Sequence, residues 1–315
     1  METLHHISLF KPGEGSGGVE RFAAYLKQAI PELECLSLSD YPGKDAAMAE
    51  HLPDYDLAKY MNEWLVRTGA LNKESVVIVD GYWGLGLQGK VKRLISVCHG
   101  SYWGRFVQAQ ISSWGEVVDY THVDAQTEMW ESPDVEIVAV SKESKREILD
   151  SCNPSSEPVV IYHGVDTDIL SPMDSDSKVW MHAAVSNRKG ADIINSLVVE
   201  HNIRCELMGK CPTLEDKAKR FADAVVLIAP TRHEGNSYVL LEALSCGVPV
   251  ITYHTGLAQE FDERCGIVTD DLAPENFARL IRGFRPENYD PRAWVKENCG
   301  PANFAANWRN FLVYK

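Results

Sequence analysis

The sequence predicts an α/β fold built from two Rossmann-like domains, each a parallel sheet flanked by helices. Three observations predict it. Short β-rich runs alternate with helical stretches along the chain, most predicted strands run into a glycine-rich or polar loop, and a polar, proline-bearing stretch at residues 171–178 separates two such series. The length of 315 residues exceeds one ordinary domain and suits two of about 150, each able to bury its own core. The expected domains are residues 1–171 and 172–301.

In the first series LHHISLF reads as a strand, VERFAAYLKQAI as a helix and LECLSL as the next strand, followed by the strands SVVIVD, RLISVCH and VEIVAVS. Residues 81–89 after SVVIVD and His99-Gly100-Ser101 after RLISVC form loops at strand carboxyl ends, where doubly wound sheets take their ligands. In the second series the strands are VWMHAAV, IRCELMG, AVVLIAP and VPVITY. Neither an internal repeat nor a low-complexity tract interrupts the pattern.

Composition narrows the functional classes. Hydrophobic residues at 45% and charged residues at 24% exclude a largely disordered chain. Apolar runs such as residues 225–229 are strand-sized, far short of the roughly 20 residues of a membrane span. The opening METLHHISLF lacks the basic head and long apolar core of a secretory signal, so a cytoplasmic setting is expected. Eight cysteines without a C-x-x-C pair, the nearest two being Cys205 and Cys211, point to reduced thiols rather than a disulfide or metal framework. A net charge of −14 disfavours general attraction to nucleic acid or anionic lipid. The basic stretches Lys90/Lys92/Arg93 and Lys142/Lys145/Arg146 read as solvated faces.

The most informative segment is PTRHEGNSYVLLEALSCGVPV at residues 230–250. A helix should start near Ser237, a good N-cap, and stop at Gly247 with Pro249 beyond, which leaves Glu234 in the preceding loop and Glu242 inside the helix. The helix N-terminus suits a diphosphate, and a carboxylate beside it can accept hydrogen bonds from sugar or ribose hydroxyls. Gly235, Asn236, Ser237 and Tyr238 line that helix opening with Glu234 and Glu242 beside it; for an arbitrary pair of glutamates this would be plain structure, and the surrounding pattern is what makes them candidate ligand-binding residues, with Glu234 the candidate catalytic group.

This stretch resembles the E-x7-E signature of retaining glycosyltransferase family 4, in the setting P-[ST]-x-x-E-G-x6-E-A-x3-G-x-P-V. Further segments resemble the same family in the same order. GEGSGGVER, containing Gly17 and Gly18, looks like its N-terminal glycine-rich loop, where missing side chains let the backbone approach a phosphate. IVAVS at 137–141 and VIYHGVD at 160–166 look like the segments that close its first domain. Asn187-Arg188-Lys189-Gly190 looks like its K-G element, whose lysine holds the donor diphosphate. The family's arginine five or six residues earlier is replaced by Ala183 and Ala184, and Arg188 is the nearest substitute. His99 stands where family members carry a histidine that contacts the transferred sugar, while residues 256–260 resemble a loop beside the donor. The connection from MGK at 208–210 to FADAVVLIAP is shorter than the family's, so the second domain looks trimmed.

The resemblance implies a GT-B architecture, two domains facing across a cleft, with helix 302–315 crossing back to the first. It implies a nucleotide-sugar donor, UDP- or GDP-linked, retention of configuration, and neither cofactor nor metal. Glu234 would contact the sugar, Glu242 the ribose, and Lys189 with Arg188 the diphosphate. The acceptor, a glycan, lipid-linked or small molecule, is not specified; Tyr82, Trp83, Tyr102 and Trp103 could face it or simply pack. Two alternatives stay open: a transferase acting on modified DNA bases, and a nucleotide-sugar-binding protein without catalysis.

Overall fold

The computed structural model describes residues 3–12, 17–112, 115 and 117–313. The chain divides into two compact units, the first drawn from residues 1–106, 118–161 and 305–315 and the second from 107–117 and 162–304. Among the described residues no helix is long and apolar enough to cross a membrane.

In the first unit β1 (Thr3–Ser8), β2 (Glu34–Ser37), β3 (Ser75–Asp80), β4 (Arg93–Cys98), β5 (Val135–Ala139) and β6 (Val159–Val160) form one parallel sheet in the order β2-β1-β3-β4-β5-β6. SVVIVD is buried at every position, as a central strand covered on both faces must be. The helix Gly18–Ala29 buries Phe22, Leu26 and Ala29, and the helix Asp54–Arg67 buries Leu57, Met61 and Leu65. Both sets follow the three-to-four-residue spacing that turns one helical face to a core. Two buried polar side chains find partners across the core: the Asn62 amide nitrogen donates to the carbonyls of Trp83 and Leu85, and Trp130 Nε1 donates to Ser96 Oγ at 3.0 Å. In the C-terminal helix Pro301–Val313, fully buried Trp308 lies 5.8 Å from Phe22, and Arg309 donates to the carbonyl of Ala29.

The aromatic residues near β3 divide between packing and exposure. Tyr82 and Trp83 are buried in the first core, which removes both from an open acceptor-facing surface. Their apolar area is worth more inside, at about 25 cal/mol per Å² removed from water. Tyr102 and Trp103 stay half-buried, Tyr102 stacking on His122 at 4.7 Å.

In the second unit β7 (Val179–His182), β8 (Glu206–Leu207), β9 (Ala224–Ala229), β10 (Val250–Tyr253) and β11 (Gly266–Thr269) form a parallel sheet in the order β11-β10-β9-β7-β8. IRCELMG contributes only two paired residues, and β11 is a strand whose half-buried sequence gives no strong apolar alternation. The helix Tyr238–Ser245 begins after Ser237 as expected and is nearly all buried, sitting over β9 and β10. All eight cysteines carry free thiols.

Candidate functional site

In the second sheet the chain leaves β7 toward β8 on one side and leaves β9 toward β10 on the other. The carboxyl ends of β7 and β9 therefore flank a topological switch point, where the following connections diverge and leave a crevice. Residues 183–190 follow β7, and residues 230–237 follow β9. Ser186 N-caps the short helix Asn187–Lys189, after which Gly190 turns the chain at φ +81°. A β-carbon on Gly190 would strike the carbonyl oxygen and ring of Pro230, so a glycine is what lets the two loops touch. Arg232 fastens them: its backbone N–H donates to the Arg188 carbonyl at 2.9 Å, and its guanidinium grips Asp192 at 2.6 and 2.8 Å and the Asn187 carbonyl.

On this base Arg188, Lys189 and Glu234 meet. Arg188 Nη1 lies 2.9 Å from Glu234 Oε1 and donates to the His233 carbonyl at 3.0 Å, while Lys189 Nζ contacts the same Glu234 oxygen. Burial, and then the adjacent guanidinium, push the Lys189 ammonium down to about 7, against the pull of the touching carboxylate. Burial also lowers the Arg188 pKa. A guanidinium and an ammonium that is half protonated near pH 7 face one carboxylate, and an arriving anion would draw Lys189 to full charge. The short helix Gly256–Glu260 closes on the backbone behind Glu234. The N–H of Glu234 donates to Thr255 Oγ1 at 3.2 Å and that of Leu257 to the Gly235 carbonyl at 3.0 Å, and a β-carbon on Gly256 would strike the carbonyls of Glu234 and Gly235.

Glu242 sits differently from an open, ribose-facing carboxylate. It is 0% exposed, and both its oxygens accept from Lys217 Nζ at 2.9 Å. Lys217 belongs to the helix Leu214–Ala222, within the shortened connection, on the same buried face as Ala218 and Phe221. Sequence reading missed this partner, although a lysine on the apolar face of an amphipathic helix was the available signal. Gly235, Asn236 and Tyr238 are buried, Ser237 is half-buried, and the Tyr238 ring stacks on His163 at 4.5 Å. Ala184 lies in the core with Ile193 and Ile194, so the place of the family arginine is apolar.

The first unit holds His99, Gly17 and Gly18. Gly17 forms the N-cap of the helix Gly18–Ala29, and the Glu20 side chain folds back against it; residues 13–16 of the glycine-rich loop lie outside the described residues. His99 follows β4, with its Nε2 at 2.8 Å from Asp80 Oδ1, and His6 Nε2 reaches the same oxygen at 3.2 Å. Phe22 packs edge-on against both rings. Burial opposes charge at His6, but the Asp80 carboxylate overrides it and raises the pKa to about 9. Burial likewise opposes charge at Asp80, and His6 and His99 override it to hold the carboxyl well below its usual range. His6 and Asp80 escaped sequence reading because strands β1 and β3, whose paired residues such as Thr3 and Ser75 lie far apart in sequence, bring them together only as neighbours in the sheet.

Residues 181–284 match the profile of a family described as glycosyl transferases group 1. Among curated proteins no sequence matches the chain. Among solved structures, sucrose-phosphate synthase from Thermosynechococcus elongatus is similar at 15% identity and a TM-score of 0.77, covering 99% of this chain and 100% of that one. HepE of Anabaena in complex with UDP is similar at 13% identity and 0.73, covering 99% and 100%, and its complex with UDP-glucose at 13% and 0.70 over the same shares. The chain thus has the α/β GT-B fold of glycosyltransferase structures, and residues 181–284 of its second unit match the group 1 glycosyl transferase profile.

Proposed function

We propose that this chain is a retaining, metal-independent glycosyltransferase of the family 4 type, moving a sugar from a UDP- or GDP-sugar to a hydroxyl acceptor in the cytoplasm. The observation that carries the reading is the meeting of Arg188 and Lys189 on Glu234 Oε1 at the switch point between β7 and β9. A donor diphosphate competes with Glu234 for the two cations. Once it takes them, Glu234 is released to accept hydrogen bonds from sugar hydroxyls. As the glycosidic bond breaks, the leaving nucleoside diphosphate gains negative charge beside Lys189 and Arg188, an attraction that grows toward the transition state. The backbone N–H groups opening the helix Tyr238–Ser245 add the positive end of a dipole. His99, oriented by Asp80, is assigned a further contact to the transferred sugar. The UDP and UDP-glucose held by HepE favour uridine as the donor base.

Glu242, bound to Lys217, contributes to this reading as a buried support of the helix rather than as an open ribose ligand. A second reading, donor binding without catalysis, draws on Ala183 and Ala184. A DNA-modifying transferase is disfavoured by the net charge of −14. Incubation with UDP- and GDP-sugars and an acceptor panel tests the choice, with the anomeric configuration of any product read by proton NMR. An α-linked product from an α-linked donor supports the proposal. Inversion, or saturable donor binding with no transfer or donor hydrolysis, overturns it.

A further inference from the structure

The second unit has a cavity of about 530 Å³ at the end of its sheet opposite Lys189 and Glu234. Trp180 stands near the start of β7, His201 and Arg204 lie on the connection entering β8, and Arg282, Phe284 and Arg285 lie at and just beyond the end of the helix Pro274–Gly283. These positions precede strands or close helices, so they gather at the amino ends of the strands, whereas the donor residues sit at the carboxyl ends.

Arg188, Arg220, Arg232 and Arg264 each hold a carboxylate, but among the described residues Arg204, Arg282 and Arg285 hold none. Arg282 Nη2 donates to the His201 carbonyl at 3.0 Å, and Arg285 Nη1 donates to the Phe284 carbonyl at 2.8 Å. Each such bond fixes a guanidinium while using only part of its five donors. Helix ends account for part of the arrangement, because the helices Ala191–Val199 and Pro274–Gly283 both finish here. Two such ends supply about half a negative charge each, which leaves roughly two of the three positive charges unbalanced. The carboxylate of Glu200, next in sequence, accepts from the Ser196 hydroxyl and keeps its charge, but it pairs with none of the three guanidiniums. One wall is aromatic: Trp180 meets Phe284 edge-to-face at 6.2 Å, and Phe284 stacks on Tyr289 at 5.0 Å. His201 Nε2 is buried in this wall with no hydrogen-bond partner. Uncompensated guanidiniums beside an aromatic face select a ligand that joins an anionic oxygen cluster to a ring, since planar forks match phosphate oxygens and indole faces take flat apolar surface.

We propose that this cavity binds a soluble phosphorylated small molecule, its phosphoryl group on Arg204, Arg282 and Arg285 and its ring against half-buried Trp180, which buried Phe284 backs. The site is separate from the donor residues and does not depend on their assigned role. Phenyl phosphate is the test ligand, and the readout is the fluorine NMR signal of Trp180 in protein carrying 5-fluorotryptophan at its eight tryptophans, assigned with Trp180→Phe. Saturable movement of that signal is expected, equally in wild type and Lys189→Ala, with inorganic phosphate binding more weakly. Arg282→Gln combined with Arg285→Gln, both at exposed positions, should weaken phenyl phosphate by roughly tenfold or more, the loss expected when charge-assisted hydrogen bonds are removed. An unmoved signal, undiminished binding in the double variant, or loss of the response in Lys189→Ala would overturn the proposal. So would a response to vesicles of phosphatidylcholine and phosphatidic acid with none to the soluble phosphates, which would make the cavity a membrane contact.

Discussion

Arg188, Lys189 and Glu234, at the carboxyl ends of β7 and β9, carry the proposed chemistry, and Lys189 gives its sharpest test. Lys189→Ala removes a charge whose interaction strengthens as the leaving group forms, so turnover should fall by about 10²–10³ while donor affinity changes much less. Steady-state kinetics over a donor range checks the split; an effect on KM alone would place Lys189 in ground-state binding. Glu242 and Lys217 predict a stability effect instead. Lys217→Ala takes the ammonium away from a buried carboxylate and should cost about 3–5 kcal/mol by urea titration, with Lys217→Met/Glu242→Leu recovering most of it. His6 supplies a pH dependence whose sign is fixed by its shift. Its pKa rises from 6.5 to about 9 on folding, so its stabilisation is complete below 6.5 and is lost as the pH climbs to about 9. Asp80, shifted down, contributes above its ordinary 3.8 and loses that contribution on acidification. Urea midpoints for the first unit should therefore decline between pH 6 and 9, by on the order of 3 kcal/mol in stability. His6→Gln should flatten that slope, and an unchanged slope would assign it to another group.

At the scale of elements, the site depends on two loops that must touch. Gly190 has φ +81° and no room for a β-carbon against Pro230, so Gly190→Ala combines backbone strain with a displaced loop. A loss of about 2 kcal/mol or more is expected, together with weaker donor binding because Arg188 and Lys189 move with the turn. Gly283→Ala, at a position with open space around it, is the matched control and should change neither property. The helix Tyr238–Ser245 was legible from its ends, because Ser237 before it and Gly247 and Pro249 after it are local signals. Strand β8 was overread, since only Glu206 and Leu207 find partners on β7, and pairing is not a local property.

For the whole molecule, ligand linkage gives the most direct measurement. A UDP-sugar at 100 times its dissociation constant should stabilise the unit that binds it by about 2.7 kcal/mol, visible as a thermal shift of several degrees. Lys189→Ala combined with Arg188→Ala should shrink the shift, whereas chelation with EDTA should leave both the shift and transfer in place. Loss of transfer on chelation, restored by magnesium or manganese, would contradict the assignment of diphosphate charge to side chains and helix ends.

The sequence by itself determined the α/β class, nine of the eleven strands among the described residues in outline, the helix after Ser237, and the loop that carries Glu234. Those features rest on apolar runs, caps and glycine positions, all local in the chain. It also singled out Arg188 and Lys189, through a motif only four residues long. Tertiary structure alone decided what these groups touch. Lys217 meets Glu242 across 25 residues, Asp80 meets His6 across 74, and Arg232 ties its loop to Asp192 across 40. Whether a carboxylate is open to a ligand or neutralised by a buried cation depends on such long-range pairs, and the balance of burial against those partners sets the charge it carries.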